Sequence, residues 1–308
     1  MRTSDTTIGI DVSKAKLDVC FLPDKRHIQL DNDPKGIAAL VSLAKAAKPS
    51  LLVFEPSGGY ERAMQNALIS QQLPCAKVNA RKIREFAKCT GQIAKTDAID
   101  AGVLAQYGAV IKPEHLRQET TDLILDDLVK RRRQLVDMMV SEKNRIEKKP
   151  SDAVQVSIHH HITYLEQQVS LLDKQINSHI TSCESLAPKA KILSTFKGVG
   201  KQTIAILLAD LPELGQLTGG QVASLAGLAP HNKDSGLMRG KRTISGGRAA
   251  VRKVLYMATM TAIRQDGFVR DFYIRLIQRG KPGKVALTAA MRKFLVHINA
   301  VMRDEFYA

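Results

Sequence analysis

Near its start the chain carries three short segments that alternate apolar and polar residues, with no space for a helix between them. Thr6-Thr7-Ile8-Gly9-Ile10-Asp11-Val12, Lys16-Leu17-Asp18-Val19-Cys20-Phe21-Leu22 and Arg26-His27-Ile28-Gln29-Leu30 each fit an extended strand, and Pro23-Asp24-Lys25 is turn material. From about Pro34 the period changes. Ile37, Leu40, Val41 and Ala44 recur on one helical face as far as Ala47. Leu51-Leu52-Val53-Phe54-Glu55 is an apolar run of strand length, a helix is expected from about Gly59 to Gln71, and Cys75 to Asn79 reads as a fifth strand. Helical stretches near Arg81–Lys88 and Thr96–Val110 follow.

Three strands in succession and then strand–helix alternation is the element order of the ribonuclease H-like fold, an α/β class. Element order alone gives no activity. The acidic residues add to it. Asp11 ends the first strand and Glu55 ends the fourth, where side chains meet the open edge of an α/β sheet. Asp97 and Asp100 are three apart on an expected helix and share a face. Four carboxylates from separate segments suit hard cations such as Mg²⁺, which take oxygen ligands. Two such ions about 3.5–4 Å apart stabilise the attacking and leaving oxygens of phosphoryl transfer. The plainer reading makes Asp11 a turn residue, Thr96 an N-cap and Asp97 a partner for the helix dipole.

The middle of the chain predicts two long helices. Ile158, Ile162, Leu165, Val169, Leu172 and Ile176 form a heptad seam, and Leu125, Arg132, Met139 and Ile146 step by seven upstream. Lys149-Pro150-Ser151 interrupts them. The expectation is a coiled-coil helical hairpin that serves oligomerisation or packs on its own domain. Lys130-Arg131-Arg132-Arg133 is either a backbone contact for nucleic acid or a solvated face. His159-His160-His161, with no metal-ligand spacing around it, is expected to be an exposed helix start.

Charge is uneven along the 308 residues. Residues 1–110 hold 15 basic and 11 acidic residues, residues 111–187 hold 11 and 12, and residues 188–308 hold 20 and 7. Most of the overall +16 therefore lies in the last third, which points to a polyanionic partner. Lys197-Gly198-Val199-Gly200-Lys201 precedes an apolar helix and resembles the turn of helix-hairpin-helix modules, where backbone N–H groups meet phosphate. The stretch from Gly227 to Arg248 is rich in Gly, Ser and cations. Lys233, Arg239, Lys241 and Arg242 surround Ser235, which composition alone makes no better a nucleophile than Ser245. A helix from Arg248 to Ile263 presents Arg248, Arg252 and Lys253, and two more helices are expected over about 267–279 and 283–303.

Composition excludes several classes. At 44% hydrophobic the chain is not a disordered polymer. No apolar run approaches the ~20 residues of a membrane span, and the first residues lack a signal-peptide core. Four scattered cysteines suggest neither a disulfide framework nor a zinc site, so a cytoplasmic location is expected. With no Trp and 5% aromatics, a stacking platform for single strands is disfavoured.

The ordered set Ile8-Gly9-Ile10-Asp11-Val12-Ser13-Lys14 through Leu17-Asp18-Val19, Phe54-Glu55-Pro56-Ser57-Gly58-Gly59-Tyr60, Lys95-Thr96-Asp97-Ala98-Ile99-Asp100-Ala101, Gly198-Val199-Gly200, Leu225-Ala226-Gly227-Leu228-Ala229-Pro230, Ser235-Gly236 and Arg252-Lys253-Val254-Leu255-Tyr256-Met257 resembles the DEDD transposases of the insertion-sequence 110 family, which includes the Piv-type DNA invertases. The resemblance runs through nearly the whole chain. It implies a RuvC-like DEDD domain over 1–115, a coiled-coil hairpin over 116–187 and a basic, mainly helical transposase domain over 188–308. It implies that Asp11, Glu55, Asp97 and Asp100 bind Mg²⁺ and that Ser235 is the nucleophile that forms a phosphoserine link to DNA. It further implies donor and target DNA, a structured noncoding guide (bridge) RNA and a homo-oligomer, dimer or tetramer, with no membrane. Competing readings are a RuvC-like hydrolytic nuclease that does not use Ser235, a nucleic-acid-binding protein without chemistry, and an actin-like sugar kinase suggested faintly by Ile8 to Ser13.

Overall fold

The computed structural model describes residues 6–92, 96–113, 122–231, 240 and 242–307, with Asp97 and Ala98 described in backbone only. The chain divides into two compact units, Met1–Glu119 and Thr120–Ala308.

The first unit is α/β. Strands β1 (Thr7–Val12), β2 (Lys16–Leu22) and β3 (Arg26–Asp31) lead to α1 (Pro34–Ala47), β4 (Leu51–Phe54), α2 (Arg62–Ser70), β5 (Cys75–Lys77), α3 (Ala80–Cys89) and α4 (Asp97–Ile111). The sheet order is β3-β2-β1-β4-β5. β1 to β3 pair antiparallel, whereas β4 runs parallel to β1 and β5 parallel to β4. This is the mixed sheet of the ribonuclease H-like order expected from sequence. Local signals fix the joints. Asp33 caps α1 by accepting the Gly36 N–H at 2.7 Å, Pro34 occupies the first turn, and Lys48 closes the helix in the left-handed region.

Alternation along the strands sorts the two faces. Ile8, Ile10, Val12, Leu52 and Phe54 pack with Leu40, Ala44, Met64 and Leu68 from α1 and α2. Leu51, Val53 and Ala76 pack on the opposite face with Val103, Leu104 and Tyr107 of α4.

The second unit is helical. It comprises α5 (Leu123–Ile146), α6 (Asp152–Ser182), α7 (Ala187–Ser194), α8 (Lys201–Asp210), α9 (Gly219–Leu225), the two-residue strands β6 (Pro230–His231) and β7 (Thr243–Ile244), and α10 (Ala249–Ala262), α11 (Phe268–Gln278) and α12 (Gly283–Phe306). α5 and α6 form an antiparallel hairpin interrupted at Pro150. His179 meets Asp122 at 2.9 Å at its base, Arg132 binds Asp173 at 2.6 Å midway, and Lys143 reaches Glu166 at 3.4 Å. The seam residues Ile158, Ile162, Leu165 and Ile176 are buried. The hairpin does not stand apart. Leu125, Val129, Ile176 and Ile180 share one core with Leu193, Leu207, Leu255, Phe294 and Ile298 of the later helices.

Three expectations change here. The histidine run is not a helix start, because α6 begins at Asp152 and the His161 ring nitrogen lies 3.0 Å from the buried Glu142 carboxylate. The Lys130–Arg133 run is largely spent internally: Lys130 pairs with Asp126, Arg132 with Asp173 and Arg133 with Asp210. The apolar content of α12 does reach that of a membrane-spanning helix. Its apolar face, from Ala286 through Phe294 to Met302, is nonetheless part of the unit's core.

Candidate active site

The register of the parallel pair sets the first two carboxylates. Gly9 pairs with Val53 and Ile10 with Phe54. Asp11 and Glu55 are each the residue that follows this last registered pair, at the carboxyl ends of adjacent parallel strands. Both are half-buried and both have partners. They share the sheet face of Gly9 and Val53, which is the face that α4 covers.

The approach of α4 fixes the third. A Cβ on Gly9 would penetrate the Ala101 carbonyl oxygen and the Ala105 nitrogen. A Cβ on Gly108 would stand 2.6 Å from Val53 Cγ2 and 2.8 Å from Thr7 Cγ2. The helix therefore lies backbone to backbone on β1 and runs opposite to it. Its first turn, with Asp97 and Asp100, comes to the strand end that bears Asp11. Thr96 caps that turn by accepting the Ile99 N–H at 3.3 Å. Asp100 is half-buried, and the Asp97 side chain lies outside the described residues.

Two residues that composition and motif reading did not single out, Asn32 and Glu61, tie the loops at this edge, and Asp18 stands beside them. Asn32 donates its side-chain amide to the carbonyls of Ser13, at 2.8 Å, and Tyr60, at 3.1 Å. It thus ties the loop after Asp11 to the loop after Glu55. Glu61 is buried and accepts the N–H groups of Ser57 at 3.0 Å and Gly59 at 2.9 Å, with Lys77 3.8 Å away. Burial pushes its carboxyl up, but the backbone N–H bonds and Lys77 outweigh that and hold it below the usual carboxylate range. Asp18 is the cross-strand partner of Asp11 and accepts from Gln29 at 2.9 Å. Its place follows from the hairpin register, which a sequence reader can trace once Pro23-Asp24-Lys25 is accepted as the turn.

The donor set is all carboxylate oxygen, as a hard divalent cation requires. Asp11 and Asp18 stand directly opposite one another in the hairpin register, and each has partners of its own. The residue types suit such a cation. Among the described residues, no three His, Cys, Asp or Glu side chains are gathered closely enough to hold a metal by themselves.

In the second unit Ser235, Lys233, Arg239 and Lys241 lie outside the described residues. The neck of their segment is described. Pro230 pairs with Ile244 and His231 with Thr243. Below the neck, Gly227 and Gly247, both with left-handed φ of 67°, pack backbone against backbone so tightly that neither admits a Cβ. The Arg248 N–H donates to the Leu225 carbonyl at 2.6 Å.

Two residues expected at nucleic acid have partners within the unit. Arg248 grips Glu213 with both guanidinium N–H groups, at 2.5 and 2.6 Å, and donates to the Asp210 carbonyl at 3.0 Å. Arg252 donates to the Gly246 carbonyl at 2.7 Å. Both guanidinium groups clamp the neck, and both side chains are partly exposed. Arg242 and Lys253 are exposed. At the α7–α8 turn, Gly198 packs on α10, where a Cβ would strike the Ala258 carbonyl, while Gly200 is open. Lys197 is exposed and donates to the Asp266 carbonyl at 3.0 Å, and Lys201 is exposed.

Family models match both parts of the chain. A family model for the DEDD domain of IS110 elements, described as "Transposase", matches residues 8–149. One described as "Transposase IS116/IS110/IS902 family" matches residues 190–274. The pilin gene-inverting proteins of Moraxella lacunata and Moraxella bovis are each 30% identical over 98% of this chain and 97% of their own length. An uncharacterized 43.6 kDa protein of insertion element IS110 from Streptomyces coelicolor is 29% identical over 50% of this chain and 37% of its own. Among solved structures, T. thermophilus RuvC in complex with Holliday junction substrate aligns at TM-score 0.29 and 11% identity, over 36% of this chain and 99% of that one. The ribonuclease H-like order of the first unit stands on its own strand pairing. Two family matches in chain order and full-length relatives at 30% identity make this chain a member of the IS110 transposase family.

Proposed function

We propose that this chain is a DNA recombinase that joins donor and target DNA through a covalent serine intermediate. The observation that carries the reading is that Asp11 and Glu55 follow the last registered pair of two adjacent parallel strands, on the edge toward which the N-terminal part of α4 runs. In this reading Asp11, Glu55, Asp97 and Asp100 hold Mg²⁺, which when bound supplies charge stabilisation for phosphoryl transfer. The Ser235 Oγ forms a bond to a backbone phosphorus, and the phosphorus–oxygen bond to a deoxyribose breaks. The serine proton leaves with the sugar hydroxyl. Because a phosphodiester is kept as phosphoserine, the reverse attack by a different strand end completes exchange without hydrolysis. A structured guide RNA and a homo-oligomer complete the assembly, and the reaction takes place in the cytoplasm. The support for the serine is the family membership together with the clamped neck on either side of it.

The test is amplification of the excised junction from cells carrying the gene with its native flanking DNA. Wild type, Ser235→Ala and Asp100→Asn are compared at matched protein levels. A junction in wild type alone supports a reaction that needs both the serine and the carboxylates. A junction that survives Ser235→Ala overturns the nucleophile and favours a carboxylate-only nuclease. Inversion of a flanked segment in place of excision gives the invertase reading, which uses the same residues.

A further inference from the structure

We propose that the turn joining α11 to α12 is a docking surface for the phosphate backbone of duplex DNA, an inference that rests on the recombinase reading above. From Phe272 to Arg303 the sequence contains seven basic residues and no acidic one. Four of the seven, Arg275, Arg279, Lys281 and Lys284, fall within ten residues at this turn, and all four are exposed. Among the described residues none of the four has an ion-pair or side-chain hydrogen-bond partner. Cations nearby are engaged: Arg270 with Asp266, Lys293 over the Phe272 ring at 4.6 Å, and Arg303 with Asp304 at 2.9 Å. A surface shaped only for solubility interleaves both signs. This one concentrates a single sign over the ten residues from Arg275 to Lys284, the nearest carboxylate in the chain being Asp271 in the first turn of α11.

The turn is built from backbone hydrogen bonds. The Gly280 N–H donates to the Ile277 carbonyl at 2.9 Å and the Lys281 N–H to the Leu276 carbonyl at 3.1 Å, which closes α11. The Val285 and Ala286 N–H groups then meet the Pro282 carbonyl at 2.9 and 3.0 Å and open α12. The four cations are thus displayed from two helix ends joined by a short turn. A duplex carries one charge per ~1.7 Å of axis, so a cluster of this size meets several phosphates at once. The matching model ends at residue 274, before the cluster.

The experiment measures duplex affinity across a salt series for the full chain and for the variant Arg275→Gln/Arg279→Gln/Lys281→Gln/Lys284→Gln, with thermal melting as the check on folding. Each lost phosphate contact flattens the slope of log affinity against log salt by about 0.9, so four contacts flatten it by about 3.6. If the quadruple variant melts early, Arg279→Gln and Lys284→Gln singly are each expected to flatten it by about 0.9. An unchanged slope alongside a salt-sensitive wild type overturns the surface and leaves the recombinase reading standing. A wild type with no salt-dependent duplex binding removes that reading as well. A variant that loses affinity for an RNA hairpin while keeping its duplex slope overturns DNA as the occupant.

Discussion

Gly9 and Ala101 meet backbone to backbone, with no space between them for even a methyl group. This contact seats α4 on the sheet and brings Asp100 to the strand end that carries Asp11. Gly9→Ala is therefore expected to act at a distance. The new Cβ meets a carbonyl and an amide, neither of which yields as a flexible side chain does. The cost is expected to be about 3 kcal/mol or more. The measurement is thermal unfolding together with the junction assay. A Gly9→Ala protein with wild-type melting and activity would mean that α4 does not need this seat.

Asn32 is expected to matter more for activity than for stability. Its two side-chain bonds span the loops that follow Asp11 and Glu55, so Asn32→Leu frees one loop from the other. Two neutral hydrogen bonds are worth about 1–3 kcal/mol together. The expected result is modest loss of melting temperature, at least about tenfold loss of junction product, since small misplacements of catalytic groups are costly, and weaker binding of Mn²⁺ by calorimetry. Equal Mn²⁺ binding by wild type and variant would limit Asn32 to a structural tie.

How much of this was legible depends on how local each signal is. Asp33, Pro34 and the 3.6-residue period define α1 within one stretch of chain, and α1 spans the expected residues. Glu55 and Asp11 were legible because apolar strands point at their own ends. Asn32 and Glu61 were not, since each acts on loops whose proximity exists only after the sheet has formed. Arg248 and Arg252 show the converse limit. Their sign was readable and suggested phosphate, but Glu213 lies 35 residues away and the Gly246 carbonyl is a backbone group with no sequence signature. Short elements such as α9, β6 and β7 escaped because seven or two residues are too few to display a period.

Glu61 makes the first unit acid-sensitive. Its folded carboxyl titrates below the ordinary value, so it favours folding at every pH above the unfolded value, about 4.3. That contribution is lost as pH falls through the lower, folded value. Glu61→Gln keeps the shape but removes the charge from the Ser57 and Gly59 N–H bonds. It is expected to cost about 1.5–3 kcal/mol at neutral pH and less in acid, where the wild type has lost the same contribution. Melting temperatures of the two proteins should therefore converge as pH drops. Parallel curves from pH 7 to pH 3 would rule out this account of the carboxylate.

Arg248 tests whether a cation in a basic domain contacts DNA or serves the fold. Burial pushes the Glu213 carboxyl up, and the Arg248 bonds and charge more than reverse that, leaving it below its usual range. The pair joins the cap of α10 to the loop after α8 at 2.5 and 2.6 Å. Arg248→Met is expected to destabilise by about 2 kcal/mol, because Glu213 is left without its counter-charge. Glu213→Gln/Arg248→Met should recover part of that loss, with a coupling of about 1–2 kcal/mol in the double-mutant cycle. The salt slope of duplex binding should stay at the wild-type value in every folded variant of the cycle, since no phosphate contact is removed. A slope about 0.9 shallower for Arg248→Met, with no coupling to Glu213, would return this arginine to the DNA interface.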